Sequence, residues 1–107
     1  MKEVICQSIN DYLDEYPLEV KVSAHDVIFI DDYVGKGYGD IYPEVLRTIK
    51  KVANKTAILL DPVYTGKAFY GMTDYLNKNK VKNKRILFIH TGGIPLLFNN
   101  AKAFEEM

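Results

Sequence analysis

Apolar residues fall along this chain in two patterns, helical stripes and short unbroken runs. Residues 2–16 carry Val4, Ile5, Ile9, Tyr12, Leu13 and Tyr16 at helical spacing, and Pro17 stops the stripe. Leu18, Val20 and Val22 then alternate, which predicts a short edge strand or a linker. "VIFI" (27–30), "TAILL" (56–60) and "RILFI" (85–89) are unbroken runs of strand length. Between the first two lie the Gly-rich loop 32–40, "DYVGKGYGD", and a helix opened by Pro43, with Val45, Leu46, Ile49 and Val52 on one face and Asn54 at its end. Residues 66–79 predict a further helix with Ala68, Met72, Tyr75 and Leu76 on one side. After the third run, "HTGG" turns into Pro95 and a last helix bearing Leu96, Leu97, Ala101 and Phe104.

The order is a helix, an optional short strand, then strand and helix three times over. Apolar runs without alternation imply strands buried on both faces. Helices between such strands serve as right-handed crossovers, which makes the sheet parallel. The expected fold class is therefore α/β: a three-layer sandwich fragment with a short, mostly parallel sheet of three or four strands flanked by helices. In such sheets ligands lie beyond the carboxyl ends of the strands. Those ends are "IDDYVGKGYGD", "LDPVYTGK" and "IHTGG", and they should converge.

Composition narrows the function classes. The chain of 107 residues suits one domain, 1–107. Acidic and basic residues balance at 14 each, so no electrostatic footprint for nucleic acid or an anionic membrane exists. The single cysteine, Cys6, excludes a disulfide framework and suits a small core residue. The N-terminus lacks a basic segment leading into an apolar h-region, and no apolar run approaches spanning length. A cytoplasmic setting is expected.

The polar residues at the run ends carry the candidate chemistry. Asp31, Asp32 and Asp61 could hold magnesium, with Asp61 as phosphoacceptor, or simply cap turns and helices. "HTGGIP" offers backbone N–H groups to an anion but lacks the spacing of a phosphate-loop motif. His90 reads as a hydrogen-bonded structural residue, and His25 has no partner at metal-ligand spacing; no metal site is argued. Lys67, in a first helical turn, reads as a solvated or phosphate-steering charge. Of the 8 tyrosines, Tyr33, Tyr38 and Tyr64 lie in the run-end loops, where a phenol can move a proton or stack on a planar ring.

Taken together, "DDYVGKGYGDIYPEVLRTI", "LLDPVYTGKAFYGM" and "ILFIHTGG" resemble the C-terminal third of the D-cysteine desulfhydrase and 1-aminocyclopropane-1-carboxylate deaminase family. These are pyridoxal 5'-phosphate enzymes of fold type II, the tryptophan synthase β-like group. The resemblance runs from about residue 20 to 98 and rests on "GYG", "DPVYTGK" and "HTGG" appearing in order. It implies that Tyr38 and Tyr64 are active-site tyrosines, with Tyr64 in proton transfer or, in the deaminases, nucleophilic attack. It implies that Thr65, Thr91 and Gly92 lie against the cofactor. Deaminases carry a glutamate and a leucine where this chain has Thr65 and Thr91, which looks like the desulfhydrase pattern. A carboxylate there deepens the cofactor's electron sink, whereas a threonine hydroxyl can donate to an unprotonated ring nitrogen. The implied reaction is the α,β-elimination of a D-amino acid, giving sulfide, pyruvate and ammonia from D-cysteine.

The resemblance also implies what is missing. Family members are much longer, and their Schiff-base lysine and phosphate loop lie upstream of the matching region. The expectation is a C-terminal fragment that supplies the wall facing the pyridine ring and a small amino-acid substrate. It should not retain the cofactor, should be inactive alone, and should pair with the missing N-terminal portion or with its own copies. Three other readings stay open: a cyclopropane-acid deaminase fragment, a receiver-like or anion-binding module using Asp61, and a purely structural domain with no ligand. Against the receiver, such domains place a further helix and strand between the acidic pair and the acceptor.

Overall fold

A computed structural model describes all 107 residues and contains five helices and no strand. The chain divides into two compact units, Met1–Asp31 and Asp32–Met107.

In the first unit, α1 spans Lys2–Glu15 and ends just before Pro17, where the sequence places its stop. None of its residues is buried. Residues 18–22 form neither strand nor helix. They are held instead by side chains of α1, since Asn10 Nδ2 and the Cys6 thiol both donate to the Val22 carbonyl, at 2.9 and 3.1 Å. Cys6 is half-buried rather than a core residue.

The second unit is built on α2 (Pro43–Thr56) packed against α3 (Thr65–Lys78). Pro43 opens α2 with a preset backbone angle and no N–H to waste. The stripe Val45, Leu46, Ile49 and Val52 is buried. Val45, Ile49 and Val52 join Leu60 as the core, with Tyr42, Phe69, Tyr70, Phe88, Leu97 and Phe104 packed around them. The buried residues of α3 are Thr65, Gly66, Lys67 and Gly71, not the expected apolar side, of which Ala68 is exposed. Close approach decides this face. A Cβ on Gly66 would lie 2.9 Å from Ile49 Cδ1, and one on Gly71 would lie 2.7 Å from Tyr33 Cδ2. The expected last helix is two short ones, α4 (Ile94–Asn99) and α5 (Ala101–Glu105). They part at Asn100, whose amide Nδ2 donates to the Leu96 carbonyl at 2.7 Å.

The expected α/β sandwich with a short, mostly parallel sheet is not found. The runs 27–30, 56–60 and 85–89 form no strands and exchange no backbone hydrogen bonds with one another. Thr56 itself belongs to α2, which ends on Ala57 in the left-handed region at φ 58°. Of the three runs only Leu60 is fully buried, while Leu87 is 86% exposed. Unbroken hydropathy specifies a segment that favours burial. A ladder needs a second backbone at hydrogen-bonding distance, and hydropathy does not supply it.

Candidate functional site

The three loops that follow the apolar runs do meet, although no sheet aligns them. The first is 32–40, the second Asp61–Tyr64, the third His90–Gly93. Loop 32–40 is tied down by three side chains. Tyr33 donates its hydroxyl to Asp74 Oδ2 on α3 at 2.6 Å. Tyr42 donates to the Tyr33 carbonyl at 2.7 Å, and Lys67 Nζ donates to the Val34 carbonyl at 2.7 Å. Within the loop, Asp40 Oδ2 accepts the Lys36 N–H at 2.7 Å. Gly35, Gly37 and Gly39 all take positive φ, which lets the loop fold tightly enough to carry Tyr38 at its tip.

Tyr38 and Tyr64 meet there. Their hydroxyls are 2.7 Å apart, with either able to donate, and their ring centroids are 6.0 Å apart. Both phenols reach solvent, Tyr38 being 82% exposed and Tyr64 50%. The hydrogen bond it shares with Tyr38, in the sense in which Tyr64 donates, holds the Tyr64 phenol above the ordinary value of 10.0. Partial desolvation, the Tyr38 oxygen and the Asp61 carboxylate push the same way.

Tyr64 is placed by Asp61, which is wholly buried. Asp61 Oδ2 accepts the N–H groups of Val63 and Tyr64 at 2.8 and 2.7 Å. Oδ1 accepts the Thr65 N–H at 2.8 Å and its hydroxyl at 2.7 Å. Burial pulls this carboxyl upward, but the Thr65 hydroxyl and the three N–H donors outweigh it and hold it below the ordinary 3.8. Both oxygens are engaged, so Asp61 organises the turn into α3 and presents no free oxygen for phosphoryl transfer.

The other sequence-predicted residues separate into engaged and free. Thr65 is 2% exposed; its hydroxyl accepts the Asp61 N–H at 2.9 Å while donating to Oδ1. Thr91 is exposed, and Gly92 next to it has φ 100°, a conformation suited to glycine. His90 shapes this turn. Its Nδ1 accepts the Gly92 N–H at 3.1 Å, leaving Nε2 to donate to the Leu59 carbonyl at 2.8 Å. Lys67 is not a solvated charge: it is buried, bound to Val34, and its amine lies 5.9 Å from the Tyr42 ring centre. Asp31 and Asp32 are exposed and His25 lies in an exposed turn. Asp74 carries no motif and escaped the sequence reading. Of the two readings the sequence left for Asp61, the cap is the one found, and its spacing to Thr65 is the visible sign of a side-chain-bonded turn.

No family model matches the chain. Three relatives are each named as a candidate 1-aminocyclopropane-1-carboxylate deaminase. That of Pyrococcus horikoshii is 43% identical over 99 residues, which is 91% of this chain and 30% of the relative. That of Pyrococcus furiosus is 40% identical over 97 residues, covering 91% and 27%. That of Pyrococcus abyssi is 46% identical over 78 residues, covering 73% and 23%. A crystal structure described as an ACC deaminase homologue matches with a TM-score of 0.73 at 40% sequence identity, covering 92% of this chain and 29% of that one. The chain thus spans 23–30% of the length of the curated relatives it matches.

Proposed function

The chain belongs to the 1-aminocyclopropane-1-carboxylate deaminase family as a segment of it, and from this we propose that it forms one wall of a pyridoxal-phosphate lyase site. The wall faces the pyridine ring and a small amino-acid substrate, and the reaction is α,β-elimination of the D-cysteine desulfhydrase type. The observation that carries this reading is the exposed phenol pair, Tyr38 and Tyr64, hydrogen-bonded at 2.7 Å.

The donor set fits one side of the cofactor. Two exposed phenols and the Thr91 hydroxyl beside the Gly92 turn suit a flat ring and a substrate over it. It does not fit the carbonyl end, because the Lys67 amine is committed to Val34. The amine and the phosphate cradle would come from the rest of the enzyme. The chemistry the cofactor supplies when bound is withdrawal of electrons from the substrate α-carbon.

This chain's residues handle the proton and the ring nitrogen. Elimination needs a proton at the departing sulfur. Tyr64 Oη holds one at neutral pH as an ordinary phenol does, and its upward shift acts in the same direction. When Tyr64 gives it up, Tyr38 Oη can donate to the resulting phenolate across the same short hydrogen bond. Thr65 and Thr91 are the residues that the family resemblance associates with desulfhydrases. Of the two, Thr91 is the hydroxyl free to donate to a ring nitrogen, since that of Thr65 is spent on Asp61.

The test is a chimera in which this chain replaces the matching segment of the Pyrococcus horikoshii protein. Sulfide release from D-cysteine should exceed ring opening of the cyclopropane acid, and Tyr64→Phe should cut sulfide release by roughly 10²–10⁴-fold. Sulfide release unchanged by Tyr64→Phe would overturn the reading. The relatives' names favour a second one, deamination of the cyclopropane acid. The same chimera decides for it if ring opening is the dominant activity.

A further inference from the structure

We propose that Asp61 is a positioning residue that couples the Gly92–Gly93 turn to the Tyr38–Tyr64 phenol pair, an inference that rests on reading the pair as catalytic. One buried carboxylate touches both loops. On one side it collects the N–H groups of Val63, Tyr64 and Thr65, so the backbone that carries the Tyr64 ring is held at three successive residues. The Asp61 backbone is fixed as well, its N–H to the Thr65 hydroxyl and its carbonyl to the Gly66 N–H at 2.7 Å. On the other side Gly93 lies directly against it. A Cβ built on Gly93 would sit 2.5 Å from Asp61 Oδ1 and 2.8 Å from its Cγ.

The carboxylate can occupy its place only because residue 93 has no side chain. If the turn moves toward Asp61, Oδ1 must shift, and the Thr65 and Tyr64 donors must follow it. Tyr64 in turn holds Tyr38 at 2.7 Å. A ligand seated at Thr91 and Gly92 would therefore be felt at the phenols through Gly93 and Asp61, with no other link required.

The two glycines provide an internal control. Gly92 and Gly93 both have positive φ, 100° and 90°, so an alanine is strained at either. A Cβ on Gly92 meets nothing within 4 Å, whereas one on Gly93 meets the carboxylate. Backbone strain is common to the two substitutions, and contact with Asp61 belongs to one.

The experiment is nuclear magnetic resonance on the full chain carrying ¹³Cζ-tyrosine and ¹⁵N, comparing wild type, Gly92→Ala and Gly93→Ala. Gly93→Ala should displace the amide resonances of Val63, Tyr64 and Thr65 and the Cζ resonances of Tyr64 and Tyr38. Gly92→Ala should leave all of these near their wild-type positions. Equal displacement by both variants, or amide shifts in Gly93→Ala without a change at either Cζ, would overturn the coupling. Should Gly93→Ala fail to fold by circular dichroism, Asp61→Asn keeps the volume and replaces one acceptor with a donor. It must then move Tyr64 Cζ, and a fixed Cζ overturns the proposal. The readout uses neither cofactor nor turnover, so its failure leaves the lyase reading to its own test.

Discussion

Gly71→Ala separates helix propensity from the packing that this fold demands. In an ordinary helix interior the exchange stabilises by about 1 kcal/mol. Gly71 is buried beneath the Tyr33 ring, and an added Cβ would stand 2.7 Å from Cδ2 and 2.9 Å from Cγ. Cγ is the root of the ring, so the ring cannot swing aside without turning the whole side chain. Overpacking of this kind costs about 1–3 kcal/mol. The displaced ring also loses the 2.6 Å hydrogen bond from Tyr33 to Asp74, which Lys78 shares at 2.6 Å. Asp74 is partly exposed, so solvent screens that bond and its loss only adds to the overpacking cost. Set against the propensity gain, the overpacking leaves a net destabilisation of up to about 2 kcal/mol before the lost hydrogen bond is added. In a Tyr33→Ala background the obstruction is gone and the sign should reverse, giving stabilisation by about 1 kcal/mol. Urea unfolding followed by far-ultraviolet circular dichroism on the four proteins of the cycle measures both values. Equal stabilisation by Gly71→Ala in both backgrounds would refute the claim that the Tyr33 ring sets the face of α3.

The remaining predictions follow from the Asp61 cluster and the phenol pair. Asp61 has its carboxyl lowered from 3.8, so its contribution is fully present above that value and is lost as pH falls through the lower folded-state value. Asp61→Asn should flatten that acid limb in pH-dependent urea titrations, and an unaltered limb would contradict the assignment. Thr65→Val leaves the buried Asp61 N–H and one carboxylate oxygen short of a partner and should cost about 2–3 kcal/mol, while Thr65→Ser should stay within about 1 kcal/mol of wild type. Equal urea midpoints for the two variants would show that the hydroxyl does not matter. Tyr38→Phe removes the largest cause of the raised Tyr64 value, so the Tyr64 Cζ titration should move down toward 10.0. A midpoint that stays put would place the cause elsewhere.

How far the sequence could be read depended on what each residue type encodes. The stripe Val45, Leu46, Ile49 and Val52 named both a helix and its buried face, because an apolar stripe at helical period has one way to be satisfied. The helix beginning at Thr65 was legible in extent and illegible in orientation. It is buried through Gly66, Lys67 and Gly71, residues whose hydropathy says nothing of close approach. The runs at 27–30 and 85–89 signal a demand for burial, yet Ile28 and Leu87 stand 69% and 86% exposed. Whether a run pairs is a property of two backbones, and neither run alone records it.

The site followed a different logic. Its loops were expected to converge because parallel strands would aim them, and they converge without strands, through side chains. Lys67 reaches back to Val34, His90 bridges Gly92 to Leu59, and Asp61 sits against Gly93. These links bind loops far apart in sequence, so no local pattern could reveal them, with one exception. Asp61 and Thr65 are close enough in sequence for a side-chain-bonded turn to be read directly, and that turn is what delivers Tyr64 to Tyr38. The chemistry of the phenol is written in residue 64, but its position is written in residue 61. A motif search that scores the tyrosine alone would therefore accept chains in which the ring points elsewhere.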